Sequence, residues 1–317
     1  MPANTERIAG GLMGLLIGDA LGVPYEFHAP SDLPPIDKIE FTPPDGFQRS
    51  HRQVPPGTWS DDGAQALVLL ASLLAQGKLE LEDFAQGLVA WLDHGYMAVD
   101  GLVFDVGIQT STALRALKSG TPAAEAGPND EYANGNGSLM RVLPLALWHR
   151  GTDEALVADA HRQSLPTHGH LRAQVCCALY CLWARRHLQA VANPWQDSVT
   201  TLQLIYGAQS PESEQLEQHI QPLEPPHGQG SGYVVDSLRS ARWAVETGAT
   251  FERVVKNAVS LGHDTDTTAC IAGGIAGIRD GLEASPLRWR RGLRGQDLVE
   301  PLLKKLLNST GQAVTKP

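Results

Sequence analysis

Basic residues are the first shortage. The chain of 317 residues carries 25 Lys plus Arg against 35 Asp plus Glu, a formal net charge of -10. A nucleic-acid groove takes most of its affinity from Lys and Arg on phosphates. The acid excess therefore argues against a nucleic-acid partner, and equally against an anionic membrane surface. A phosphate-bearing ligand fits only if something other than side chains supplies positive charge. Cysteine is scarce as well. Cys176, Cys177, Cys181 and Cys270 are the only four, which is no disulfide framework. Three of them share one apolar helical pattern and read as buried thiols, and their spacing is wrong for zinc. Long apolar runs are missing too. Ile8 to Ile17 stops at Gly18-Asp19, too short to span a bilayer. The segment before it lacks the basic n-region of a signal peptide. The reading is a cytoplasmic protein.

Strand-like alternation is equally hard to find. Val54 to Trp59 is broken by Pro55-Pro56-Gly57 and reads as a loop. Helical periodicity fills the space instead. Thr5 is the expected cap of a first helix with Ile8, Leu12, Leu15 and Leu16 on its apolar side. Gly10, Gly14, Gly18 and Gly22 recur at every fourth position, and the first three read as a close helix contact. Ser60 is the expected N-cap of a helix over Asp61–Gln76, with Gly77 as its stop. Further helices are expected over Leu81–Leu92, Ile108–Lys118, Leu139–Trp148, Asp153–Gln163, His170–Leu188, Trp195–Tyr206, Tyr233–Glu246, Phe251–Ser260, Thr265–Arg279 and Leu298–Leu307. The fold class is all-α. Pro30–Pro56, Gly127–Gly137 and Gln209–Gly232 read as loops, and no helical repeat of fixed period is evident. Residues 309–317 read as a flexible tail.

Glycine, at 32 residues, is in excess of common usage and gathers near the chemistry. Two aspartate pairs dominate. Thr58-Trp59-Ser60-Asp61-Asp62-Gly63 and Gly262-His263-Asp264-Thr265-Asp266-Thr267 each open an expected helix. One Asp-rich helix start is an ordinary cap, favoured by the dipole. Two such starts, each pairing a hydroxyl with two carboxylates, suggest more. Mg²⁺ and Mn²⁺ want oxygen donors in near-octahedral array. If the two starts converge, four carboxylates and two hydroxyls would suit two divalent cations. Without metal the four charges would repel and some would take up protons.

Two more segments stand out. Asn134-Gly135-Asn136-Gly137-Ser138-Leu139-Met140-Arg141 offers glycines for close backbone approach and free N–H groups to an anion. Gly18-Asp19-Ala20-Leu21-Gly22-Val23-Pro24-Tyr25-Glu26 puts an acid where an apolar helix is expected to end. In this order the four segments resemble the ADP-ribosylglycohydrolase family, over residues from about 6 to 281. The resemblance implies one domain over residues 1–308, a compact orthogonal helical bundle with a binuclear metal cleft. Both ends of the chain must then meet, which removes a two-domain reading.

The resemblance also implies roles. Metal ligands fall on Ser60, Asp61, Asp62, Asp264, Asp266 and Thr267, for two ions, Mg²⁺ or Mn²⁺. Glu26, Asp62 and Asp105 are the implied catalytic acids and bases. Glu26 matches an acid on a mobile segment near the metals, and Asp105 one beside the substrate ribose. Asn136, Gly137 and Ser138 match a loop around ribose and diphosphate. His168 matches a substrate-contacting histidine and Tyr233 an aromatic near the adenine. Three departures stand out: Ser60 in place of Thr, Gly63 in place of Thr, and His263 in place of Gly. Gly63 is expected to weaken the helix start slightly. The implied reaction is hydrolysis of the N-glycosidic bond between ADP-ribose and arginine on a modified protein. Alternatives are the serine-linked bond, a free ADP-ribose derivative, or a non-catalytic ADP-ribose binder. A monomer is expected.

Overall fold

The computed structural model describes residues 2–311. Helices follow one another along the chain: α1 (Asn4–Gly22), α2 (Asp61–Gln76), α3 (Leu81–His94), α4 (Ile108–Lys118), α5 (Leu143–Trp148), α6 (Asp153–Ser164) and α7 (Leu171–Leu188). Then come α8 (Pro194–Tyr206), α9 (Pro211–Glu214), α10 (Val234–Thr247), α11 (Phe251–Val259), α12 (Thr265–Asp280), α13 (Leu287–Gly292) and α14 (Gln296–Gly311). Among the described residues no β-strand forms, only an isolated bridge between Gly135 and Tyr233. The fold is all-α. One apolar core runs from Ile8 to Leu306 and holds Trp59, Trp91, Trp183 and Trp289 fully buried.

The glycine ladder explains why α1 and α12 form the central pair. A Cβ on Gly10, Gly14 or Gly18 would lie 2.2, 2.3 or 2.0 Å from the carbonyl oxygens of Gly277, Gly273 and Ala269. Only hydrogen fits in that space, so the two backbones touch. Gly22 extends the contact beyond the three expected positions, since its Cβ would lie 2.3 Å from the Cα of Asp266. The ladder thus delivers the end of α1 to the start of α12. Burial of α1 is nearly complete. By length and mean hydropathy of 1.4, Asn4–Tyr25 would suffice to cross a membrane. The short run read from the sequence missed this, because Asp19 does not stop the helix. What the protein does with the segment is bury it in its own core.

Several boundaries move. Thr5 lies inside α1, and Ala3 occupies the cap position with no side-chain bond. The helix expected from Leu139 starts at Leu143, with Pro144 in its first turn, where the missing N–H is harmless. The expected loop Gln209–Gly232 contains α9 and a π-helical turn over Gln215–Ile220. Helix α13 was not foreseen. Helix α14 passes residue 308 and reaches Gly311; the rest of the expected tail lies outside the described residues. By contrast α2 matches its expected limits. Ser60 Oγ accepts from Asp62 N, and Gly77 closes the helix at φ +67°. The four thiols are free and buried as read.

Candidate active site

The four segments meet at one cleft of about 1030 Å³. Its acidic floor comes from two helix starts. At α2, Asp19 is fully buried and accepts from Ser60 N at 2.9 Å and Gly63 N at 2.7 Å. It satisfies N–H groups that a helix start leaves open, so its carboxylate anchors the loop that carries Asp61 and Asp62. Gly63 is required there rather than merely tolerated. A Cβ would press on Leu16 and the Trp59 ring at 2.8 Å. At α12, Thr265 Oγ1 donates to Gly22 O at 2.8 Å, and Asp264 N donates to Gly230 O at 2.8 Å.

The carboxylates interlock across the two starts. Thr267 Oγ1 donates to Asp62 Oδ1 at 3.3 Å, and Thr267 N to Asp266 Oδ1 at 2.8 Å. Asn136 Nδ2 donates to Asp264 Oδ2 at 2.7 Å and to Ser237 Oγ at 2.9 Å. Gln65 Nε2 donates to Asp61 Oδ2 at 3.0 Å. Glu26 joins from the loop after α1, and its carboxylate lies within 4.8 Å of those of Asp264 and Asp266. His51 Nε2 meets Glu26 Oε2 at 2.7 Å, and both lie within 4.8 Å of Asp105. The Glu26 segment is tied down by Phe27 N to His263 O and His263 N to His28 O, each 2.7 Å. His263 takes φ +60° to make that pair, and so it is a backbone fastening as well as a lining residue.

So many acids in one buried place hold protons. Burial, then neighbouring carboxylates, push Asp61, Asp62 and Asp266 well above the ordinary range. Burial raises Asp264 as well, against the hydrogen bonds from Asn136 and Thr267. Glu26 is pushed up to about 11 by burial first, and then by Asp105, Asp264, Asp61 and Asp62. Asp105 rises to about 6, chiefly by burial and Asp264. Two buried oxygens, Asp62 Oδ2 and Asp266 Oδ2, have no hydrogen-bond partner at all. Buried acceptors without donors are rare and costly. An all-oxygen donor set with orphaned carboxylate oxygens is what a hard divalent cation fits. Glu26, Asp264 and Asp266 form one group that could hold such an ion, and Asp61, Asp62 and Thr267 line the same cleft; Ser60 Oγ, which accepts from Asp62 N, stands behind them.

The neutral wall of the cleft holds Gly135, Asn136, Gly137 and His168. A Cβ on Gly137 would meet His168 Cε1 at 2.7 Å, so glycine leaves the backbone bare beside the ring. His168 is buried and its Nδ1 bonds Thr167 Oγ1 at 2.7 Å. Burial, with Arg141 nearby, holds its pKa well below the usual range. Ser138 needs correction. Its hydroxyl turns away from the cleft to Ser164 Oγ at 2.8 Å and Cys177, so the side chain is part of the core and not a ligand contact. Tyr233 caps α10 and its hydroxyl accepts from Arg172 at 3.2 Å. It stands next to Gly232, which lines the cleft, but its own ring is outside the lining.

Sequence reasoning missed four contributors. Asp19 lies inside α1 rather than at its stop, and an acid inside an apolar helix is a signal for a buried partner. His51, Gln65 and the exposed apolar rim of Phe27, Ile108 and Tyr132 carried no sequence signal. Their neighbours lie far away along the chain.

A family model described as ADP-ribosylglycohydrolase matches residues 1–314. The chain belongs to the ADP-ribosylglycohydrolase family. It is 30% identical to a protein from Pseudomonas putida (strain GB-1) named ADP-ribosylarginine hydrolase Tri1, covering 97% of this chain and 79% of that one. It is 28% identical to the ADP-ribosyl-[dinitrogen reductase] glycohydrolase of Rhodospirillum rubrum, covering 91% and 90%. A solved structure titled "ADP-ribosylglycohydrolase-related protein complex" superposes with a TM-score of 0.77 at 29% identity, over 96% of this chain and 98% of that one. In this family member the acidic residues form a cluster that could bind metal.

Proposed function

We propose that this protein is a metal-dependent hydrolase that removes ADP-ribose from arginine side chains of modified proteins. The observation that carries the reading is the convergence of oxygen donors from both ends of the chain: Asp61, Asp62, Asp264 and Thr267 line one cleft, and Asp266 clusters with Asp264 and Glu26 beside it. The likeness to relatives named for arginine-linked substrates supports the linkage. Ser60, Asp61, Asp62, Asp264, Asp266 and Thr267 would hold two divalent ions, Mg²⁺ or Mn²⁺. When bound, such ions supply charge neutralisation and Lewis-acid stabilisation at the ribose.

The remaining chemistry falls to the chain itself. Asn136 and the bare backbone at Gly135 and Gly137 receive the ribose and diphosphate. Neutral His168 offers one ring nitrogen to the substrate while Thr167 holds the other. Asp105, raised to about 6, holds a proton often enough near neutrality to pass it toward the leaving guanidine. Glu26 is held protonated by burial and by its acidic neighbours; with divalent ions neutralising those neighbours it would ionise, and it or Asp62 would then accept the proton of the attacking water as positive charge develops at the anomeric carbon. The buried free thiols suit a reducing, cytoplasmic setting.

The test is release of ADP-ribose from an arginine-modified protein with Mg²⁺ or Mn²⁺, compared with a serine-modified protein under the same conditions. Arginine-linked substrate is expected to turn over faster, and EDTA to abolish turnover. No release, or release undiminished by EDTA, overturns the reading. Faster turnover of the serine-linked substrate corrects the linkage alone.

A further inference from the structure

Arg141 closes the Asn-Gly segment, yet its side chain leaves the cleft and enters the core. It is fully buried. Its guanidinium lies 5.0 Å from the centroid of the Phe84 ring. Its hydrogen bonds go to neutral groups: Gln65 Oε1 at 2.9 Å, Gln163 Oε1 at 3.4 Å and Gln163 O at 3.0 Å. Among the described residues its hydrogen-bond partners include no carboxylate. A buried cation with only neutral contacts is costly unless a negative charge stands close behind. The acidic group in that position is Asp61, one side chain away.

Gln65 is the link, and it too is fully buried. Its amide has one accepting and one donating end. Arg141 has donors only, so it fixes the carbonyl end of Gln65 toward itself. The amide nitrogen must then face Asp61, where it donates to Oδ2 at 3.0 Å. With the amide reversed, a carbonyl would face a carboxylate and an N–H₂ would face a guanidinium. Asp61, which lines the cleft, is thereby held from behind through Oδ2. The Gln163 amide anchors the far end by donating to Ser138 O and Ala160 O, each 3.3 Å.

We infer that the Gln163–Arg141–Gln65 chain is a positioning relay that orients Asp61 for divalent-metal binding. The inference rests on the proposed metal centre. Groups that hold ligands from behind commonly matter tenfold to a hundredfold in metal affinity. Residues on two different helices and a loop segment are needed, which is why no local motif announces them.

The test measures Mn²⁺ binding by calorimetry and by the EPR signal of free Mn²⁺, on full-length protein whose helical content is checked by circular dichroism. Gln65→Met is expected to weaken Mn²⁺ binding about 10- to 100-fold. Because that change leaves Arg141 without an acceptor, the double variant Gln65→Met/Arg141→Met is measured in parallel. It removes the Gln65–Arg141 pair together, so that neither is left facing the other's missing partner, and only Gln163 loses a donor. The same loss of affinity is expected there. Affinity within twofold of wild type in either folded variant overturns the relay while the metal centre stands. A wild-type protein that binds no Mn²⁺ overturns the metal centre itself, and the relay with it.

Discussion

Asp19, His51 and Gln65 do their work through other side chains. Asp19 holds the backbone that bears Asp61 and Asp62. Gln65 turns Asp61. His51 holds Glu26 from outside the cluster, at 2.7 Å, and packs against the rings of Phe27 and Phe104 at centroid distances of 5.6 and 5.0 Å. Phe104 adjoins Asp105, which takes φ +56°, so one imidazole connects the loops that carry both expected acids. Replacing His51 with Ala is expected to lower kcat about ten- to a hundredfold, the scale of a small misplacement of a reacting group. Steady-state turnover of an arginine-modified substrate measures it, and an unchanged kcat would show that Glu26 keeps its position alone. The residues that were legible in advance, Asp61, Asp62, Asp264 and Asp266, announced themselves by type and by standing at helix starts. Those that were not legible are ordinary in type and gain meaning only from a neighbour distant in sequence. Ser138 shows the opposite failure. It lies in a telling motif, but the turn directs its hydroxyl inward.

Among the elements, the pairing of α1 with α12 does most to build the site. Its glycines put two backbones in contact along a little more than three turns and bring Gly22 against Asp266. A methyl at Gly18 would fall 2.0 Å from Ala269 O. That is backbone, which cannot step aside as a side chain can. Gly18→Ala is therefore expected to cost about 3 kcal/mol, lowering Tm by about 4 to 5 °C. The control is Gly107→Ala, where the nearest atom to the new methyl is Thr110 Oγ1 at 3.9 Å. Its Tm should stay near that of wild type, and equal Tm values for the two variants would show that the ladder is not under contact pressure. The ladder was visible as a sequence spacing, and so were α2 and α4, because caps, stops and periodicity are local signals. The π-helical turn at Gln215–Ile220 and helix α13 were not visible. Both lie in short segments rich in Pro, Gly and charge, where local preference is weak and packing decides.

For the molecule as a whole, the acid surplus is partly structural. Carboxylates with raised folded pKa values bind protons that the unfolded chain, with ordinary values near 4, has already lost. The metal-free fold should therefore lose stability as pH rises above about 4, through Asp105 at about 6 and Asp19 at about 7 and on toward Glu26 at about 11. Divalent ions favour the ionised form and oppose that loss. The difference in Tm between protein with Mn²⁺ and protein with EDTA should thus widen from pH 5 to pH 8. Scanning fluorimetry measures it, and a difference that is flat or shrinks with pH would show that the acids do not share the ions.

The sequence alone determined that the protein is helical, that α2 begins at Ser60-Asp61-Asp62, and that oxygen donors stand at two helix starts. These follow from nearest-neighbour physics: capping, backbone freedom at glycine, and the period of apolar residues. Tertiary structure alone decided that the two starts face each other, that Asp62 and Asp266 each keep an oxygen without a donor, and that a buried arginine reaches Asp61 through a glutamine. Those are matters of distance between parts of the chain that share no local signal, and only the packed core sets them.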